Sequence, residues 1–234
     1  MIRAILFDFN GVLVDDEPIH REIFERVLAD EGIPFAAEEY LARFLGLDDR
    51  ACFAAVLAEA GEPVTVPRLM RLIARKASYY QESIRKGGYP FFPGVAELVA
   101  SLAAQGRMLG VVSGALREEV EGALRQARLL DRFKVLVTAE DVDEGKPNPQ
   151  GYLRALEALN SLPPLPERLL HPHEVLAVED SPAGLAAAAE VGLATLGLAH
   201  TYPAERLRAD AVATSLRDLT PERLERLFAE VSRR

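Results

Sequence analysis

A chain of 234 residues, 49% hydrophobic and 27% charged, has the balance of a folded globular protein and enough length to bury a sizeable core, which excludes a disordered or fibrous chain. Its formal net charge of -9 offers no basic face to nucleic acid, yet leaves room for a small phosphorylated metabolite as partner. The single cysteine, Cys52, excludes an internal disulfide, and no segment approaches ~20 uninterrupted apolar residues; the expectation is a protein of the reducing cytoplasm, monomer or homodimer, with no membrane contact.

Met1 to Phe7 reads as a continuously apolar, buried strand that ends where Asp8 arrives, with Asn10-Gly11 supplying a turn. From about Glu17 to Tyr89 the apolar spacing turns helical, as in Ile23, Val27 and Leu28, then Phe53, Val56 and Leu57, then Leu69, Leu72 and Ile73. Pro90 and Pro93-Gly94 close that stretch, and Val95 to Ala104 forms another amphipathic helix ended by Gly106. Short apolar strands then alternate with helices. The strands are Met108 to Val112, Val135 to Val137, Val175 to Val178, Ala194 to Leu198 and Ala211 to Ala213. The helices are Arg117 to Ala127, Gln150 to Leu159, Pro182 to Val191 and Pro221 to Val231; Ser181 is placed to cap the third, with Pro182 at its first position. The proline-rich run Leu162 to Pro172 reads as a loop. Alternation of this kind implies an α/β fold, a Rossmann-like parallel sheet wrapped by helices, built from residues 1-15 and 92-234 and interrupted by an all-helical domain over 16-91.

Ligands of open parallel sheets bind outside the carboxyl ends of the strands, so the residues after each apolar run carry the functional information. Asp8 follows the first run, Ser113-Gly114 the second and Glu179-Asp180 the fourth, while Gly145-Lys146-Pro147 lies in the loop after Val135 to Val137. A carboxylate nucleophile, a hydroxyl, an ammonium and an acidic pair suit phosphoryl transfer around a hard cation, which takes oxygen ligands. Any one of these residues alone is an ordinary strand end or helix cap; the set converging on one edge is what carries the reading.

The run Asp8-Phe9-Asn10-Gly11-Val12, Ser113 after a strand, Lys146 in Gly-Lys-Pro, and Glu179-Asp180 before Ser-Pro-Ala-Gly together resemble the four motifs of the haloacid dehalogenase superfamily. The helical insert resembles that family's first type of cap domain. Asp15-Asp16-Glu17 with His20, and Pro93-Gly94-Val95, are most similar to its β-phosphoglucomutase and phosphoglycolate phosphatase branch. The resemblance implies that Asp8 attacks phosphorus to form an aspartyl phosphate, that Ser113, Gly114 and Lys146 bind the phosphoryl oxygens, and that Mg2+ is held by Asp8, Asp180 and the main-chain carbonyl of Asn10, with Glu179 beside Asp180 either as a further ligand or as the partner behind one. It further implies that substrate-reading groups sit on the cap, for which Arg50 in the run Leu45 to Arg50, His20 and Lys76 are the candidates. The paired His171 and His173 lack neighbouring Cys or Asp and do not read as a metal site, and Phe91-Phe92 reads as packing near the cap connection.

The chain departs from the family pattern at one place. The family carries a second aspartate two residues after the nucleophile, which protonates the leaving alcohol and later activates water; here the residue is Asn10. An amide exchanges no proton at neutral pH, and general acid-base help is worth ~10²- to 10⁴-fold in rate. Four readings of Asn10 stay open on the sequence: a phosphatase that is weak or restricted to leaving groups that need no proton, such as acyl or aryl phosphates; an asparagine that replaces the family aspartate by engineering or mutation, which deamidation of Asn-Gly would reverse; a phosphatase in which His20, Asp15 or Asp16 substitutes; and a catalytically silent binder of a phosphorylated ligand or a protein. A sugar-phosphate mutase, which shares the same core residues, is the enzymatic alternative.

Overall fold

The computed structural model describes residues 2-35, 49-163 and 168-231. The chain divides into two compact units, one made of Met1–Asp15 with Pro90–Arg234 and the other of Asp16–Tyr89.

The first unit is built on six strands, β1 (Ala4–Phe7), β2 (Met108–Val112), β3 (Phe133–Val137), β4 (Val175–Glu179), β5 (Ala194–Leu198) and β6 (Ala211–Ala213). They form a single sheet in the order β3-β2-β1-β4-β5-β6, and every pair in it is parallel. Parallel strands need crossovers that cover the sheet faces with helices, which explains why β1, β4 and β5 are buried at every residue. On one face Ala4, Leu6, Val135, Val137, Val175 and Ala177 pack in one cluster with Tyr152, Ala155 and Leu159 of a helix. On the other face Phe7 meets Phe133 edge to face, with ring centres 6.2 Å apart. The outermost strand β3 instead alternates in burial, with Lys134 exposed between buried Phe133 and Val135, and a shift in its register with β2 at this point lets those two face opposite sides of the sheet. That lysine breaks the apolar run and explains why the sequence suggested a strand two residues shorter at its start.

Helices of this unit are Val95–Ala104, Arg117–Gln126, Gln150–Asn160, Pro182–Glu190 and Pro221–Val231. Ser181 Oγ accepts from the Gly184 N–H at 3.1 Å and Pro182 opens the helix, so the start read from the sequence is the one found. Within the proline-rich run, residues 164-167 lie outside the described residues, and Pro172–Glu174 closes it with a single 3-10 turn leading into β4.

The second unit contains helices Glu17–Asp30, Asp49–Glu59 and Val66–Gly87. Their apolar faces meet around Phe24, Val27, Leu28, Phe53, Leu57 and Leu72, all fully buried, with the rings of Phe24 and Phe53 stacked at 4.6 Å. Cys52 is buried in this cluster, and Thr65 caps the last helix by accepting from the Arg68 N–H. The sequence placed Arg50 in a loop; it is the second residue of the helix Asp49–Glu59, while Leu45 to Asp48 of that run lie outside the described residues. No described helix is long and apolar enough to cross a membrane.

Candidate active site

The sheet order reverses direction between β1 and β4: the chain winds outward from β1 through β2 to β3, then returns past β1 to β4 and continues to β6. A crevice opens beyond the carboxyl ends of the strands at such a switch point. Asp8 leaves β1 there, its N–H still donating to Val178 O at 2.9 Å in continuation of the β1-β4 ladder, and Glu179 and Asp180 leave β4 beside it. Strand pairing puts Phe7 opposite Val111, so Ser113 follows just past the end of β2 on the same edge. Its N–H donates to Val137 O at 2.9 Å and its hydroxyl accepts from the Ala115 N–H at 3.0 Å.

Lys146 ties these strand ends together. Its ammonium lies 2.9 Å from Asp8 Oδ1 and 2.6 Å from Glu179 Oε1, and donates to Val112 O at 3.0 Å. Three acceptors use all three ammonium donors, one each from the ends of β1, β4 and β2. Burial alone would favour the neutral amine, but the charges of Asp8 and Glu179 outweigh it and hold the lysine protonated more firmly than usual. Asp8 Oδ1 also accepts from the Phe9 N–H at 2.7 Å, so this oxygen is fixed and the second carboxylate oxygen is the one left for chemistry.

The acidic pair is strained electrostatically. Glu179 is fully buried; its desolvation, followed by the charge of Asp8, pushes its pKa up to about 7 in spite of Lys146 and the Tyr152 hydroxyl, which donates to Oε1 at 2.5 Å. Asp180 is raised well above the usual range by burial and by Asp8 and Glu179, against a hydrogen bond from the Thr201 side chain. Two glycines make room for these carboxylates. A Cβ on Gly11, whose φ is +74°, would stand 1.9 Å from Asp180 Oδ2, and one on Gly184 would stand 2.1 Å from the Glu179 carboxylate. Asp8, Glu179 and Asp180 each offer an oxygen within 4.8 Å of the others, and one lysine does not neutralise three acids. The donors are all hard oxygens, and Gly11 leaves Asp180 unobstructed; the residues present therefore fit a hard divalent cation.

The structure thus brings Asp8, Lys146, Glu179 and Asp180 into direct contact or near contact and sets Ser113 on their edge. Gly114 is exposed beside it, and a Cβ added there would meet nothing within 4 Å. Asn10 lies in the turn after β1, where its backbone bridges to Val14 and Leu13 and Val14 donate back to Phe9 O. Arg50, His20 and Lys76 belong to the unit Asp16–Tyr89. Arg50 is exposed, whereas Lys76 is buried and its ammonium is paired with Asp49. His20 stacks on the Tyr80 ring at 4.7 Å and places Nε2 3.3 Å from Asp16, whose carboxylate also accepts from the Tyr80 hydroxyl at 2.7 Å.

Sequence reasoning passed over three residues at the strand-end edge. Tyr152 reads as an apolar helix position, and nothing in its spacing points to Glu179. His200 and Thr201 follow β5 and would have been found by applying the strand-end rule once more. The His200 ring stacks on Phe92 at 4.0 Å, and because a carbonyl only accepts, its Nδ1, 2.9 Å from Gly11 O, is the protonated nitrogen.

Comparison with known proteins places the chain in a family. Residues 5-198 match the family described as haloacid dehalogenase-like hydrolase. Among curated relatives, validoxylamine A 7'-phosphate phosphatase of Streptomyces hygroscopicus subsp. limoneus is 33% identical over 95% of this chain and 97% of its own. Among solved structures, β-phosphoglucomutase from Clostridium difficile superposes over 100% of both chains with a TM-score of 0.81 at 20% identity, a likeness of fold alone. An aspartate-to-asparagine mutant of CbbY from Rhodobacter sphaeroides, in complex with xylulose 1,5-bisphosphate, is 28% identical with a TM-score of 0.74 over 94% of this chain and 96% of that one. With a family match across most of its length, a full-length relative at one-third identity and the motif residues gathered at one strand-end edge, this chain belongs to the haloacid dehalogenase-like hydrolase family.

Proposed function

We propose that the protein is a magnesium-dependent phosphatase of small phosphate monoesters, acting through Asp8 and limited by Asn10 to substrates whose leaving group departs without a proton. The observation that carries this reading is the chain Asp8–Lys146–Glu179 at the β1/β4 switch point, with Asp180 alongside. The free Asp8 oxygen attacks phosphorus, the bond from phosphorus to the ester oxygen breaks, and the leaving group departs with that electron pair. Water then attacks the phosphorus of the aspartyl phosphate, loses a proton to solvent, and releases phosphate and the Asp8 carboxylate. Lys146 and the Phe9 N–H fix the other Asp8 oxygen, and the lysine offsets negative charge as the phosphoryl group transfers. The Ser113 hydroxyl and the Gly114 N–H are the donors for the phosphoryl oxygens. Magnesium held by Asp8, Asp180, Glu179 and the Asn10 carbonyl supplies charge stabilisation when bound.

Asn10 has no proton to give an alkoxide, so aryl and acyl phosphates, whose leaving groups are stable anions, are the substrates it serves best. The relatives support the substrate class: one is named as a phosphatase of validoxylamine A 7'-phosphate, and a CbbY mutant in which an aspartate has become asparagine holds xylulose 1,5-bisphosphate. The lone, buried Cys52 accords with work in the reducing cytoplasm.

The test is a pair of substrates on a pair of proteins. Asn10→Asp is expected to raise alkyl phosphate turnover by ~10²- to 10⁴-fold and aryl phosphate turnover by much less. Equal gains on both substrates, or no aryl phosphate turnover by either protein with magnesium present, overturn the reading.

A further inference from the structure

Glu179 is placed in the reading above to serve two partners at once, Lys146 and a cation, and a carboxylate on a flexible stem does not choose between them unaided. Its surroundings choose. Oε1 accepts from the Tyr152 hydroxyl at 2.5 Å and lies 2.6 Å from the lysine, so that oxygen is committed. Among the described residues Oε2 has only the Ser181 hydroxyl, at the weak distance of 3.4 Å. Behind the side chain, Gly184 is so close that no Cβ fits, which prevents the carboxylate from backing away. Tyr152 itself is confined by packing: it is fully buried in the cluster formed by its helix and the sheet, and the lysine ammonium lies 5.7 Å from the centre of its ring.

We propose that Tyr152 is a positioning residue of the cation site: its hydroxyl pins Oε1 of Glu179 to Lys146 and thereby presents Oε2 as the oxygen available to the metal. The inference rests on the metal-dependent reading and deepens it, since it divides the two oxygens of one acid between the lysine and the cation. Partners that orient a ligating carboxylate are worth about 10- to 100-fold in metal affinity.

Tyr152→Phe removes only the hydroxyl and keeps the ring in its packing. Calorimetric titration of the substrate-free protein with Mg2+ is expected to show Kd weaker by about 10- to 100-fold in Y152F, and the Mg2+ concentration for half-maximal turnover to rise by the same factor. Adding Y152F to Glu179→Gln is expected to weaken Mg2+ binding no further, because the tyrosine acts through that carboxylate. A folded Y152F that binds Mg2+ within twofold of the unmutated protein overturns the proposal, and so does an additive loss in the double variant. Because the chain has six tyrosines and no tryptophan, a second readout needs no variant: Mg2+ binding to the unmutated protein is expected to perturb the near-ultraviolet tyrosine spectrum at the calorimetric midpoint. A tyrosine spectrum that stays flat through that midpoint counts against the proposal even if Y152F does not fold. If the unmutated protein itself takes up no Mg2+, the metal-dependent function fails, which is a different result from Mg2+ binding indifferent to Tyr152.

Discussion

Strand β4 is bracketed by two glutamates, Glu174 immediately before it and Glu179 as its last residue, and their environments are opposite. At the amino end of the sheet, Glu174 accepts from the His171 N–H at 3.0 Å and the Arg168 guanidinium at 2.5 Å, with Arg3 3.7 Å away, and these donors bring its pKa down to about 2. At the carboxyl end, burial and the neighbouring Asp8 push Glu179 up to about 7. One edge has its charge compensated by the protein; the other gathers acids faster than it supplies cations. A fold that gives a buried glutamate enough donors at one end of a strand to hold it ionised, and at the other leaves three acids to share one lysine, has the pattern expected of a site rather than a scaffold.

The largest effect that tests this contrast is Asp8→Asn. Turnover is expected to fall by on the order of 10⁴-fold or more, as for loss of a nucleophile. The metal-free Tm is expected to rise, because the charge that repels Glu179 and Asp180 is gone. A lower Tm would show that the carboxyl edge is built for stability after all. Next comes the cation. Mg2+ at about 100 times its Kd is expected to stabilise the protein by ~2.7 kcal/mol, an effect reversed by chelation and greatly reduced in Asp180→Asn. Equal stabilisation of both proteins, measured by thermal or urea unfolding, would mean that the ion binds elsewhere.

The smallest effect is at the amino edge. The folded pKa of Glu174 lies below its ordinary value of 4.5, so its stabilisation is present above pH 4.5 and fades as the pH falls toward about 2. Glu174→Gln is therefore expected to unfold at lower urea than the unmutated protein at pH 7, with the gap narrowing at pH 4 and again at pH 3. Glu179 has the opposite sign: its folded pKa is raised, so its contribution is most favourable below pH 4.5 and is lost as the pH rises through about 7 in the metal-free protein. A gap for Glu174→Gln that widens in acid would reverse the assignment of the two ends.

How much of this was legible beforehand depends on the range over which each residue acts. Asp8, Ser113, Glu179 and Asp180 announce themselves because each terminates an apolar run, and a strand of period two buried on both faces leaves its first polar residue at the sheet edge. The parallel order of the sheet followed from alternation in the same way. Tyr152 was invisible for the converse reason: it shares the apolar stripe of its helix with Ala155 and Leu159, and its hydroxyl finds its partner 27 residues away. The pairing of Lys76 with Asp49 and of Tyr80 with Asp16 was equally hidden, since contacts between helices depend on how the helices pack and leave no spacing in the sequence. Lys76, free to read as a solvated or substrate-facing cation in one dimension, has a carboxylate partner in three.

The fit of Gly11 against Asp180 also governs how Asn10 ages. No side chain fits at position 11, so asparagine is followed by glycine, the neighbour that most readily lets an asparagine side chain cyclise with the next backbone nitrogen and lose ammonia. That nitrogen, however, donates to Val14 O at 2.8 Å, and the Gly11 carbonyl is held by His200. The turn must open before the ring can close, so conversion to aspartate at this position is expected to be slower in the folded protein than in the unfolded chain, a difference that mass spectrometry of samples aged with and without urea would measure.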